Sequence, residues 1–282
     1  VHRISVSLGA QRKIPTQSGD LGNGIVHVCD EFSLGAIFGL LDTITDFVSF
    51  LTEVEDLTKR ANIIFNGGGI EDLLAIYLLN NYSFPYEEAD LLIIDDTIFK
   101  GFINSDAYKV MQKSFKNSYF WDKLIEHFVS DLLTNGIFEY GTNQATDNQY
   151  ALIQMALQPR YYRANLVDAF SEFLQKPGLK IAARVVLAYQ NTAFVFHLGP
   201  SSDREARVQE LGLRCLVVRG RIPDVKIVVG ISRDKLGPSV VGYSHDIVYV
   251  DIPEWDDDFE EQVNKIQKEL GYFENASWAK RP

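Results

Sequence analysis

The stretch NIIFNGGGIEDLLAIYLL, residues 62–79, joins a short apolar strand to an amphipathic helix through three consecutive glycines. Such a junction commits the surrounding chain to mixed α/β structure, because the side-chain period switches from 2 to about 3.6 across one turn. Glycines ahead of a helix also raise the question of a phosphate cradle, where backbone N–H groups and the helix N-terminus face an anion. Here the first turn carries Glu71 and Asp72, which already occupy the positive end of the helix dipole and repel phosphate. Neither GK[ST] nor GxGxxG is present. The segment is expected to be a tight strand-to-helix turn.

The same periodicities organise the rest of the chain. GIVHVCD alternates as a strand, and Ser33 is placed to cap a short helix, SLGAIFGLL. In LDTITDFVSFLTEVEDLTKR, Ile44, Phe47, Phe50, Leu51, Val54 and Leu57 recur at three- and four-residue steps, and Lys59 and Arg60 close the helix. ADLLIID reads as a buried strand, followed by helices SDAYKVMQKSF and NSYFWDKLIEHFVSDLL. Residues 136–148, GIFEYGTNQATDN, are rich in turn formers and are the expected linker between residues 1–140 and 149–282. Beyond it come a helix around 148–157, the helix RYYRANLVDAFSEFLQ, and the strands KIAARVVLAYQ and TAFVFHLG as a hairpin. A Ser202/Glu205 capping box then precedes a helix, the strands VKIVVGI and DIVYVDI, and a final helix. CLVVR fits either helix or strand. The expected fold is mixed α+β in two abutting subdomains, an acidic α/β N-terminal part and an α+β C-terminal part whose mixed sheet is packed by helices.

Charge supports the division. Residues 1–150 hold 21 acidic and 10 basic side chains, residues 151–250 hold 8 and 13, and the last 32 residues hold 9 and 4. The net charge of −11 argues against attraction to nucleic acid by the whole molecule, while a local basic face keeps that possibility. No run approaches the length of a membrane span, so no membrane is expected. No signal-peptide pattern opens the chain, and Cys29 and Cys215 stand outside any CxxC pattern, so a cytoplasmic protein without disulfides is expected.

Three sets of side chains carry possible chemistry. Asp95 and Asp96 end a buried strand, and with Glu71 they form a candidate oxygen site for Mg²⁺ or Mn²⁺, with Lys100 nearby. That set suits a metal-dependent phosphodiester hydrolase, although no E-x-K stands in a following strand. The bland reading is a cap on the segment beginning at Thr97. Of the five histidines no two share ligand spacing, and His197 or His245 with Asp246 and Ser201, Ser202 or Ser244 make a Ser/His/Asp set without a G-x-S-x-G elbow. Arg160 and Arg163 flank two tyrosines, and with Arg219 and Arg221 they are candidate nucleic-acid contacts. Their alternative role is pairing with acids of the N-terminal half.

The blocks LDTITDFVSFL, NSYFWDKLIEHF, GLRCLVVRG and GYSHDIVYVDIPEW resemble a group of uncharacterised bacterial proteins. The resemblance implies a bacterial, intracellular origin and brings no activity, cofactor or site residues. The functional expectation is a binding or interaction protein with a protein partner and no catalysis. A metal-dependent hydrolase and a nucleic-acid-associated accessory protein are the alternatives.

Overall fold

The computed structural model describes residues 2–7, 18–20, 25–86, 89–134, 143–175, 183–199, 204–234, 245–252 and 256–273. Helices and strands mix throughout, and the chain divides into two units, Val1–Lys116 and Asn117–Pro282. The division thus falls earlier than residues 136–148, inside the 3-10 turn Lys116–Ser118. Residues 143–148 of the expected linker are helical, and residues 135–142 lie outside the described residues. The reason is packing. Trp121, Leu124 and Phe128, on the helix that follows the turn, belong to the core of the second unit, so that helix goes with them.

In the first unit, β1 (Arg3–Ser7), β2 (Ser18–Asp20) and β3 (Ile25–Asp30) form a sheet ordered β1-β3-β2, with β1 parallel and β2 antiparallel to β3. Helix α1 (Glu31–Leu40) follows at once, capped by Asp30, which accepts from the Ser33 N–H at 2.7 Å. Ser33 therefore lies inside the helix rather than at its cap. Helix α2 (Ile44–Arg60) is capped by Thr43 and buries Phe50, Leu51, Val54 and Leu57 of the expected stripe, while Phe47 is half-buried and Ile44, at the first position, is 76% exposed. Strands β4 (Ala61–Asn66) and β5 (Ala89–Asp95) pair in parallel, with α3 (Ile70–Leu79) in the connection between them. Helix α3 is buried on every side from Ile70 to Leu78, which explains its nearly continuous apolar sequence. Helices α4 (Ile98–Ile103) and α5 (Asp106–Phe115) complete the unit.

The second unit is a mixed four-stranded sheet ordered β6-β7-β8-β9: Ala183–Leu187, Thr192–Gly199, Ile227–Asp234 and His245–Asp251. The β6–β7 and β8–β9 pairs are antiparallel and the central β7–β8 pair is parallel. Alternation along β7 divides the core. Phe194 and Phe196 face the helices α6 (Tyr119–Thr134), α7 (Asn143–Ala156) and α8 (Arg160–Gln175), through Trp121, Met155 and Phe170. Ala193 and Val195 face α9 (Arg204–Arg221), through Leu211, Cys215 and Val218. CLVVR is therefore helical, since Cys215 and Val218 share the buried stripe of α9. Helix α10 (Asp257–Leu270) adds a small cluster through Val263, against Val217 and Tyr272. Helix α9 sits so close to the sheet that a side-chain carbon at Gly230 would lie 2.7 Å from both Cys215 Sγ and Leu211 Cγ.

Candidate functional site

The glycine turn is closed by its own helix. Asp72 Oδ2 accepts from the Gly69 N–H at 2.9 Å, and Oδ1 accepts from the Phe99 N–H at the start of α4 at 2.8 Å. A carboxylate thus fills the place a phosphate would take, consistent with the charge argument. Gly67 adopts φ +80°, and a side chain at Gly68 would put its first carbon 2.4 Å from Asp72 Oδ2. Both glycines are required by this turn.

The carboxylates expected to hold Mg²⁺ or Mn²⁺ are not assembled for it. Glu71 is buried and accepts from Ser33 Oγ at 2.5 Å, tying α3 to α1. Asp95 is exposed and accepts from the Thr97 N–H at 3.1 Å and from Thr97 Oγ1 at 3.0 Å, a local turn ahead of α4 rather than its cap, which is Thr97; those bonds hold its pKa below the usual carboxylate value. Asp96 is also exposed. Among the described residues, the three carboxylates do not bring their oxygens within 4.8 Å of one another as a set. The cause is that α3 turns Glu71 into the core while the end of β5 turns Asp95 to solvent.

The proposed basic face is corrected as well. Arg160 is buried, donates to Asp122 Oδ2 at 2.6 Å and to Ser118 Oγ at 3.2 Å, and stacks over the Tyr119 ring. Arg163 is buried too, bonded to Asp122 Oδ1 and to the carbonyls of Gln158 and Ala156. Arg219 is buried with an N–H on the Ile252 carbonyl, while Arg221 is exposed and donates to Gln267. Three of the four arginines are therefore held inside the unit by carboxylate or carbonyl partners and present no surface to a nucleic acid.

His197 lies buried in β7 with its Nδ1 3.3 Å from Ser232 Oγ and its Nε2 3.3 Å from Glu210 Oε1. Burial pushes its pKa down to about 4, Arg214 and Arg207 add to that, and Glu210 opposes it. Ser232 has no exposed surface, which makes this contact a core hydrogen bond. Ser201, Ser202 and Ser244 lie outside the described residues, as do the side chains of His245 and Asp246, whose backbone forms the start of β9. Both thiols are buried, and burial pushes Cys29 up to about 11 and Cys215 higher still, so both act as small core groups.

One constellation escapes sequence spacing altogether. His2 Nδ1 lies 2.8 Å and His27 Nε2 3.1 Å from the same oxygen, Oε1 of Glu55. The three come from the start of β1, from β3 and from α2, 28 and 53 positions apart along the chain. Register explains the meeting. Ile4 pairs with His27 across β1–β3, so His2, two residues before Ile4, points to the same face of the sheet. His27 is fully buried, whereas His2 and Glu55 keep 22% and 23% of their side-chain surface. Burial lowers the pKa of His27 against the pull of Glu55. For Glu55, burial pushes up, but the bonds from His2 and His27 outweigh it and the pKa falls. Neutral imidazole beside ionised carboxylate is the resulting state.

A second feature is the outward face of β4–β5. Asn62, Ile64 and Asn66 alternate outward on β4, and their register partners Leu91, Ile93 and Asp95 do so on β5. Ile64 and Leu91 are 52% exposed and Ile93 61%. Parallel sheets in folded proteins have both faces covered as a rule, so a bare Ile–Ile pair at the centre of one is unusual. Among the described residues, no helix is long and apolar enough to cross a membrane. Searches of protein-family models, of curated proteins and of solved structures find no match to this chain.

Proposed function

We propose that this chain is an interaction protein, without catalysis of its own, that docks a protein partner on the outward face of β4–β5. The observation that carries the reading is the cross-strand pair Ile64–Ile93, flanked by Leu91 and exposed on a parallel sheet. An apolar centre rimmed by polar groups is the anatomy of a docking surface. Here the rim is Asn62, Asn66, Asp95 and the neighbouring Asp96, all exposed. Two carboxylates at one end favour a partner that carries an apolar side chain beside Lys or Arg, and they disfavour an acidic one.

A photo-crosslinking residue at position 93, in cells that express the chain natively, should yield a discrete adduct with another protein. Ile64→Asp should abolish that adduct, and Asp95→Lys with Asp96→Lys should reduce it at least about tenfold through like-charge repulsion. The same residue at Val110, which is exposed on α5, should not give it. No adduct at position 93, or the same adducts from position 110, would overturn the reading.

A further inference from the structure

We propose that His2, His27 and Glu55 form a binding site for one divalent transition-metal ion of the zinc class, with an open coordination position toward solvent. Two imidazoles and one carboxylate are the ligand set of three-ligand zinc sites, in which water or an exogenous ligand takes the fourth place. The three donor atoms all lie within 4.8 Å of one another. Donor atoms around a tetrahedral zinc, bound at about 2.0–2.1 Å, stand about 3.3 Å apart. The two pairs that share Glu55 Oε1, at 2.8 and 3.1 Å, need only a small outward movement to admit the ion. Imidazole selects zinc, cobalt, nickel or copper over the hard ions Mg²⁺ and Ca²⁺, which prefer all-oxygen sites.

The site also has a floor and a mouth. His27 is fully buried and fixed in the sheet, while His2 and Glu55 keep partial exposure, so an ion enters from their side and retains a face toward water. A carboxylate oxygen only accepts hydrogen bonds, so in the metal-free state His2 Nδ1 and His27 Nε2 each carry the proton that points at Glu55. To hold the ion, each ring turns the lone pair of that nitrogen toward it and carries its proton on the opposite ring nitrogen. Because His2 immediately precedes β1, the ion would also pin that edge strand to α2.

The test uses the untagged full chain, stripped with a chelator and dialysed free of it. Calorimetric titration with zinc chloride should show one ion per chain, and cobalt chloride should give the visible bands of a four- or five-coordinate ion. Loss of a group hydrogen-bonded to a metal ligand weakens binding about 10–100-fold, and loss of a direct ligand should do at least as much. Glu55→Gln and His2→Ala should each therefore weaken zinc by at least about tenfold, while His245→Ala leaves it unchanged. Amide exchange in β1 should slow on loading in the parent and not in either variant. Far-UV circular dichroism reports that each variant is folded, and the near-isosteric Glu55→Gln keeps the test sound if His2→Ala disturbs β1. No saturable uptake at ~100 µM zinc, a weak affinity for any metal site, or parent-like uptake by both folded variants, would overturn the proposal.

Discussion

Glu55 in the first unit and Asp122 in the second solve one problem in opposite ways. Each is a partly exposed carboxylate on a helix, and each is gripped by two nitrogen side chains. Asp122 gives one oxygen to Arg160 and the other to Arg163, both buried and both permanently charged. The cluster holds more positive charge than negative, and it has no lone pair on nitrogen to offer. Glu55 instead presents a single oxygen to two imidazoles, of which buried His27 is held toward its neutral form. That cluster holds no permanent positive charge, and its imidazoles can turn a nitrogen lone pair to a cation by a tautomer shift. The first arrangement is a clamp that repels cations. The second is a clamp that a cation can replace.

The largest expected effect lies on the arginine side. Asp122→Ala removes the carboxylate from two buried guanidinium groups, and leaving buried charge unpaired typically costs about 3–5 kcal/mol. Urea denaturation should show a loss of that size. Arg160→Ala with Arg163→Ala should also destabilise the second unit, because both side chains fill its core rather than its surface. A double variant with parent stability would return these arginines to the surface and revive the nucleic-acid reading.

Strong period carried the fold: α2 buries the stripe expected of it from Phe50 to Leu57, though not Ile44 in its first turn, and β7, β8 and β9 appear where the apolar runs stand. The unit boundary was misread because Gly136 and its neighbours have linker composition, whereas the true division lies in KNS, between two helices, without Gly or Pro. Strands β1 and β2 escaped because they are short and polar, and only pairing with β3 makes them strands. Arg160 and Arg163 looked like a basic face since nothing nearby in sequence neutralises them. Their partner sits 38 and 41 positions away, on another helix. His2, His27 and Glu55 were invisible for the same reason. Glu71 was legible as a first-turn acid and Asp95 as a strand-end acid bonded to the segment at Thr97, but not as facing opposite ways.

His197 supplies the intermediate case, a histidine beside a carboxylate whose charge Arg214 already meets at 2.7 Å. Its pKa, near 6.5 when unfolded and about 4 in the folded chain, is depressed first by burial and then by the two arginines. The depressed group is a base, so between these values the unfolded chain takes up a proton that the native chain refuses. Stability from this residue is therefore whole above about pH 6.5 and declines as pH falls toward 4, by roughly 3 kcal/mol in all. His197→Gln should remove that part of the pH dependence, measured as the difference in urea midpoint slope between variant and parent from pH 7 to 4.5. Equal slopes would mean that His197 titrates as an ordinary exposed histidine. The same experiment separates the two histidine sites, since a cation-flanked imidazole should gain nothing from added zinc.

The smallest effect belongs to His2. In metal-free protein it makes one bond to a carboxylate at a position open to water, and His27 keeps its own bond to that carboxylate when His2 is gone. Partly exposed pairs of this kind contribute about 0–1 kcal/mol. His2→Ala should therefore shift the metal-free urea midpoint barely at all, while Asp122→Ala shifts it greatly. If zinc loading stabilises the parent, as a ligand that binds only the folded state must, the increment should vanish in His2→Ala, since two donors remain where three are needed. A loss in the metal-free state as large as that of Asp122→Ala would show that the two carboxylate clusters are the same kind of clamp. His2 would then be a structural tie that holds β1, and the contrast between the two units would fail at its first term.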